Sequence, residues 1–520
     1  MWDHRARGRH RLEALLSKFS PTFSGFCRSL PPAALLLVAA CTVGPDFTPP
    51  AKPPEQSYTP GGAAEKSAGD QQFALGQKIT GDWWTLYRSA PLSSVLEQAV
   101  AGNRTLTAAK ATLAAAQEQV NVARGGLYPQ IDLNASAQRQ KNNGSQLGLP
   151  RLPPQFPPYF NLYRVGPTVS YALDVFGETR RAIEESEALA DAEDFQLDAA
   201  YLTLTGNAVM QALTIASLRA QLATVDGIIA DDQRNLDLVQ TEVRAGVATQ
   251  LDIETATSQL ATDRTLLPPL RQQLAVAQHA LAVLVGKAPA DWVAPDFDLD
   301  KILLPQDLPL SLPSELVRQR PDLLAAEAQL HAASAAIGVA TAQLYPSINL
   351  SAALTQQAIS VDSLFHGAST IWTVAGGLTA PIFHGGELEA RRRATEDQFN
   401  ATLATYEQTV LQAFGQVADV LEALGHDAEL LADQQRALTA AESSLNLTRR
   451  SYSIGSVGIL QVLDAQRLVE QARLGYVRAK AQRYLDTAQL FVAMGGGWWN
   501  WRERGEPVAA APIPVKATTP

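Results

Sequence analysis

Leu403, Val410, Val417, Leu424, Leu431, Leu438, Leu445 and Tyr452 form a column of eight apolar side chains spaced seven residues apart. A 3.6-residue turn drifts against a seven-residue repeat unless helices wrap around one another, so the column predicts the seam of a supercoiled helix. At about 1.5 Å per residue, a helix from Gly386 to Ile454 runs on the order of 100 Å, deeper than any ordinary globular core. The same spacing recurs 209 positions earlier at Ile215, Leu222, Ile229, Leu236 and Val243. Drawn in full, that first column alternates steps of four and three through Leu218, Leu222, Val225, Ile229, Asp232, Leu236, Val239 and Val243. Asp232 is its one polar interruption, a position suited to fixing register.

The segments around the two columns also match. Leu127-Tyr128-Pro129-Gln130-Ile131-Asp132-Leu133 has a counterpart 217 positions later in Leu344-Tyr345-Pro346-Ser347-Ile348-Asn349-Leu350. Each ends a helix and starts a strand, because proline disfavours helical geometry in its predecessor. The preceding helix runs from near Leu92 past Asn103 to Leu127, and Asn103, Thr105 and Leu106 fall on Arg320, Asp322 and Leu323. Alternating segments follow at residues 130–140 and 160–176, with a loop over 141–159, and again at 347–357 and 370–383. Ile348, Leu350, Ala352 and Leu354 alternate with Ser347, Asn349, Ser351 and Ala353, the pattern of a strand with one apolar face. Tyr159, Phe160, Tyr163, Phe176, Trp372 and Phe383 lie near strand ends, where they suit either a membrane-interface girdle or a core. Glycines at 177 and at 385–386 allow a sharp turn, and Glu178 and Glu387 suit the helix N-termini that follow. The hairpin tips at residues 245–253 and 454–462 align as well. Each half therefore reads helix, strand, strand, long helix, tip, helix.

Among the 520 residues, 42 Lys and Arg stand against 52 Asp and Glu, a net charge of -10, which becomes -14 without residues 1–40. Such a surface argues against a nucleic-acid partner. No run of 18 apolar residues exists, so the sequence predicts no transmembrane helix, and a membrane span has to be a β-barrel. Cys27 and Cys41 form neither a disulfide scaffold nor a metal site. His4, His10, His279, His331, His366, His384 and His426 show no ligand spacing, so no metal centre is expected. GxSxG and GxxxxGK[ST] are both absent, and the chain reads as neither an enzyme nor an energy source. Gly495-Gly496-Gly497 is expected to be a flexible terminus.

Arg5, Arg7, Arg9, Arg11, Lys18 and Arg28 precede a short apolar run that ends in Val38-Ala39-Ala40-Cys41, the layout of a signal peptide over residues 1–40. The ending resembles the bacterial lipobox, which implies an acylated Cys41, a covalent lipid and no other cofactor. Residues 41–82 read as a lipid-anchored Pro- and Gly-rich linker. Cys41-Thr42-Val43-Gly44-Pro45-Asp46-Phe47, followed by Pro49-Pro50, resembles the mature start of lipidated outer membrane factors. These are the TolC-like, NodT-type channels of RND-type efflux systems. The segment from Leu312 to Glu327, with Arg320-Pro321-Asp322 at its centre, resembles the family's most recognisable motif, and Ala493-Met494-Gly495-Gly496-Gly497-Trp498 resembles its closing one. Repeat 1 is placed at residues 83–288, a Pro-rich linker at 289–312, repeat 2 at 313–497 and a flexible tail at 498–520.

Two strands per half make four per chain, and a closed membrane barrel needs at least about eight, so copies have to pool strands around a symmetry axis. The resemblance supplies the number. It implies a mixed α+β membrane protein in which a long coiled-coil α-helical barrel joins a transmembrane β-barrel shared by a homotrimer. The implied partners are a periplasmic adaptor, an RND-type inner membrane pump and outer membrane lipid. In the family's pattern the periplasmic gate falls on Tyr452, Leu460 and Asp464, and symmetry would bring three Asp464 carboxylates together as a constriction that attracts cations. The first half has Val243, Leu251 and Thr255 at those positions. By the same resemblance Gly246, Val247, Gly455, Ser456 and Val457 are the adaptor-contact tips. The expected function is a passive outer membrane channel of a tripartite efflux system. A type I protein-secretion channel and a structural periplasmic coiled-coil lipoprotein are the alternatives.

Overall fold

The computed structural model describes residues 42–65, 67–77, 79–141 and 159–498. The expected signal peptide and Cys41, with its acylation, lie outside the described residues, as do most of the first inter-strand loop and the tail beyond Trp498. In chain order the elements are β1 (Ser67–Ala68), β2 (Gln71–Leu75), α1 (Ala90–Gly102), α2 (Arg104–Gly125), β3 (Gln130–Lys141), β4 (Tyr159–Leu173), α3 (Glu178–Arg244), α4 (Gln250–Arg264), α5 (Leu267–Leu284), β5 (Asp307–Leu310), α6 (Pro313–Leu316), α7 (Pro321–Ala342), β6 (Ser347–Ala358), β7 (Thr370–Thr379), α8 (Glu387–Ser453) and α9 (Ile459–Ala493). The order helix, strand, strand, 67-residue helix occurs twice.

Contacts divide the chain into two units, a β unit built from residues 129–178 and 345–381 and a helical unit holding most of the rest. In the β unit, four antiparallel strands lie in the order β3-β4-β6-β7. Register places Ile131 opposite Val169, Val169 opposite Ala352, and Ala352 opposite Val374, so one face is apolar across all four strands. Asp132, Thr168, Ala353 and Thr373 line up on the other face. At the base of the sheet the rings of Phe176 and Tyr345 stack at 4.8 Å. Gly177 turns the chain there at φ +86, and a Cβ on it would come within 2.7 Å of Thr42.

In the helical unit, α3 and α8 each run for 67 residues, roughly 100 Å at a rise of 1.5 Å. All eight members of the opening column are buried or half-buried, and Val417 and Leu424 are wholly so. The first half departs from the expected single helices in two places. Asn103 is extended and its side chain accepts from the Leu106 amide at 2.9 Å, so it caps α2 and separates it from α1. Pro268 and Pro269 split the returning helix into α4 and α5, because proline supplies no N–H to the preceding turn and fits only a first turn. In the second half α9 returns unbroken for 35 residues.

Both linkers are corrected. Residues 71–75 and 307–310 pair as parallel strands, Gln72 opposite Asp307 and Leu75 opposite Leu310, in a three-stranded sheet with β1. Leu308 and Leu310 are buried, while Pro309 sits in an edge strand, where its missing donor costs no ladder bond. Phe297, Leu299 and Ile302 of the same stretch enter the main core with Trp83, Tyr87, Leu96 and Phe491. The rings of Trp83 and Phe491 stack at 5.2 Å, and the Tyr87 hydroxyl donates to the Tyr484 carbonyl at 3.1 Å.

The three terminal glycines are not a loose end. They hold φ of +90, +61 and +70, and a Cβ on Gly497 would stand 2.6 Å from the Thr80 backbone. The exclusion of transmembrane helices is also too strict: α3 and α7 are long and apolar enough to cross a membrane by composition. Within those apolar windows 50% and 56% of residues are already buried, as in helices that pack inside a protein.

Candidate gate and docking tips

Each long helix ends in the same way. The Gly246 amide donates to the Val243 carbonyl and the Val247 amide to that of Glu242, while Gly455 and Ser456 repeat the pattern on Tyr452 and Ser451. This is the paired capping of a Schellman motif, which places the residue after the helix in the left-handed region. Gly246 and Gly455 occupy it at φ +76 and +75. The chain then re-enters a helix through a capping box at Thr249, whose amide donates to the Asp252 carboxylate at 2.8 Å. The Thr249 hydroxyl, which donates to the same carboxylate at 2.7 Å, and then its amide hold the Asp252 carboxyl below the usual range.

The two tips lie side by side. Tyr452, Gly455, Val457 and Leu460 of the second half and Glu242, Val247 and Asp252 of the first line a crevice of about 570 Å³. The Tyr452 hydroxyl donates to the Glu242 carboxylate across it. Burial, and then this carboxylate, push the Tyr452 phenol well above its ordinary value. Gly246, Val247, Gly455 and Ser456 are exposed and Val457 is half-buried. Asp464 is not part of this crevice. It stands exposed on the first turns of α9, paired with Arg467 one turn on at 2.6 Å.

The Arg320-Pro321-Asp322 motif lies elsewhere and fastens helices. The Arg320 guanidinium is buried and grips Asp322 with two bonds, at 3.0 and 2.6 Å. It also donates to Gln416 of α8 at 2.9 Å and to the Ala493 carbonyl at the end of α9 at 3.2 Å. Its cation thus meets the negative pole of α9 while Pro321 opens α7.

Glu242, the partner of Tyr452, carried no signal in the sequence, because an acid near a helix end reads as a solvated residue.

Two segments, residues 95–287 and 312–496, match the family model described as outer membrane efflux protein. The chain belongs to that family. The outer membrane efflux proteins are outer membrane channels, and the two matched segments each contain one 67-residue helix and its tip. The chain is 26% identical over 475 residues to the cation efflux system protein CusC of Escherichia coli, covering 91% of this chain and 99% of that protein. It is 29% identical over 479 residues to the toluene efflux pump outer membrane protein TtgI of Pseudomonas putida, covering 91% and 98%. The solved outer membrane channel OprN superposes with a TM-score of 0.78 at 27% identity, over 88% of this chain and all of that one.

Proposed function

We propose that the chain is the outer membrane channel of a tripartite efflux system, a homotrimeric passive conduit for small molecules delivered by an inner membrane pump through a periplasmic adaptor. The observation that carries this reading is the state of the sheet edges. Every residue of β7 is exposed, and in β3 all but Gln140. β3 and β7 are the outer strands of the sheet, with no further strand paired to either among the described residues, and lipid cannot satisfy such edges, so a four-stranded sheet has no place in a bilayer alone. Joining β7 of one copy to β3 of the next closes twelve strands from three copies, with the apolar face toward lipid and the Asp132 and Thr168 face toward the lumen. Exposed Val122, Val276, Val283 and Leu411 on the helical unit fit the same contact between copies.

The long helices support the same reading. Helices on the order of 100 Å form a duct that reaches far into the periplasm, and its far end carries the tips. Tyr452 bound to Glu242, Leu460 in the crevice and the Asp464 carboxylates around the axis form the gate. Gly246, Val247, Gly455, Ser456 and Val457 meet the adaptor, and an acylated Cys41 anchors the chain to the outer membrane. Efflux relatives such as CusC and TtgI support small-molecule cargo over protein secretion. A scaffold lipoprotein would leave the apolar sheet face without purpose.

The test is expression in a Gram-negative host that has a pump and adaptor but lacks its own outer channel. The expected result is restored resistance, with a detergent-dependent, heat-modifiable trimer in the outer membrane fraction. A soluble elongated monomer after Cys41→Ser would overturn the reading.

A further inference from the structure

Asp232 of α3, Asp263 of α4 and Glu470 of α9 converge in the interior of the helical unit. One carboxylate oxygen from each lies within 4.8 Å of the other two. All three are buried, at 3%, 8% and 7% exposure. Among the described residues no Lys or Arg forms an ion pair with any of them. The nearby cations are engaged elsewhere: Arg473 with Asp231 and Glu442, Arg264 with Gln233, and Arg449 with Gln466. Asp263 accepts from Gln259 at 2.6 Å, but Asp232 Oδ2 and Glu470 Oε1 have no donor although they are wholly enclosed.

Three enclosed acids without a cation are costly to charge, so something neutralises them. Three helices bring an oxygen each within 4.8 Å of one another, and two of the acids keep a buried oxygen with no donor, which points to a bound cation. We propose that Asp232, Asp263 and Glu470 form a binding site for one hard divalent cation of the size of Ca2+. Calcium accepts several carboxylates in irregular geometry, whereas Mg2+ demands near-ideal octahedral coordination and usually keeps several waters with only one or two carboxylates, so three enclosed acids suit Ca2+. All-oxygen donors without sulfur or imidazole point the same way. Protons compete for the same oxygens, as burial favours the neutral acid.

The position gives the ion its role. Asp232 lies 12 residues before the end of α3, Asp263 lies 13 after the start of α4, and Glu470 lies 11 after the start of α9. All three are therefore roughly 18 Å along their helices from the tips. A cation here ties the first hairpin to the returning helix of the second, behind the crevice that holds Tyr452. The site lies within one chain and is independent of the gate reading.

The test measures Ca2+ binding by titration calorimetry on the purified full chain in detergent, stripped with a chelator, at pH 7.5. The expected result is one saturable Ca2+ per chain and a thermal midpoint that rises with Ca2+. Asp232→Asn and Glu470→Gln should each weaken binding at least tenfold and remove the thermal response, while Asp291→Asn, at an exposed acid away from both the cluster and the gate, changes neither. Absence of saturable binding in the wild-type chain overturns the proposal whatever the variants do. Equal binding in Asp232→Asn and wild type, or loss in Asp291→Asn alone, overturns it too.

Discussion

Tyr452 and Glu242 sit on opposite hairpins and are joined by one charge-assisted hydrogen bond, the phenol donating to the carboxylate. Such bonds contribute about 1.5–3 kcal/mol when enclosed, and half-exposure of Tyr452 reduces that to about 1 kcal/mol. Tyr452→Phe should therefore shift a closed channel toward opening about fivefold, read as higher single-channel conductance or open probability in planar bilayers. Unaltered gating would exclude this bond as a latch.

Arg320 is a fastening and not a gate. Arg320→Ala strands the Ala493 carbonyl and Gln416 and leaves Asp322 unpaired, and because Asp322 is partly exposed the cost is about 2–3 kcal/mol. A lower denaturation midpoint with unchanged conductance of the surviving channels is the expected outcome. Arg320→Lys should fail to rescue it, since an ammonium cannot reproduce the two-pronged grip on Asp322.

Asp427 of α8 is buried and faces Asp486 of α9. Burial, and then Asp486, push its carboxyl up to about 7. In the unfolded chain the group titrates near 4, so between about pH 4 and 7 the folded state holds a proton that the unfolded state has lost. Stability from this group is therefore full below about pH 4 and declines as pH rises through 7. Asp427→Asn should be more stable than wild type by about 1–3 kcal/mol at pH 8 and nearly equal to it at pH 4. A pH-independent difference in thermal midpoint would contradict this.

Gly166 lies where β4 crosses β6, and a Cβ there would come within 2.0 Å of the Leu354 carbonyl. Beside it Pro167 offers no amide, and the paired register is interrupted between Val165 and Thr168. Gly166→Val should prevent β4 from pairing with β6, and the proposed heat-modifiable trimer should be missing from the outer membrane fraction. Retention of that oligomer would mean that the sheet tolerates a gap at its centre.

The parts of the fold that were legible in the sequence are those set by local periodicity. The column from Leu403 to Tyr452 and the two Leu-Tyr-Pro junctions place α8, the long helices and the four strands to within a few residues. What escaped the sequence depends on contacts between distant segments. The pairing of Gln72 with Asp307 joins stretches whose prolines read as linkers, and only the tertiary fold shows that Leu308 and Leu310 enter the core. The glycines at 495–497 read as loose because their fit against Thr80 and Leu202 is invisible locally. At the tips, Schellman glycines and Tyr452 were readable, but Glu242 was not. Of the buried acids only Asp232 broke an apolar column, while Asp263 and Glu470 looked like ordinary helix-surface residues.

The parallel pairing of β2 with β5 also imposes an order in time. Gln72 leaves the ribosome 235 residues before Asp307, the residue it must lie beside. Until then β2 has only the two-residue β1 beside it, and a first half made alone keeps an open edge. Closing so long a loop is slow, so this small sheet can zip only after the first hairpin has been made. It acts as a late fastener, delaying completion of the helical unit until more than half of the chain has emerged.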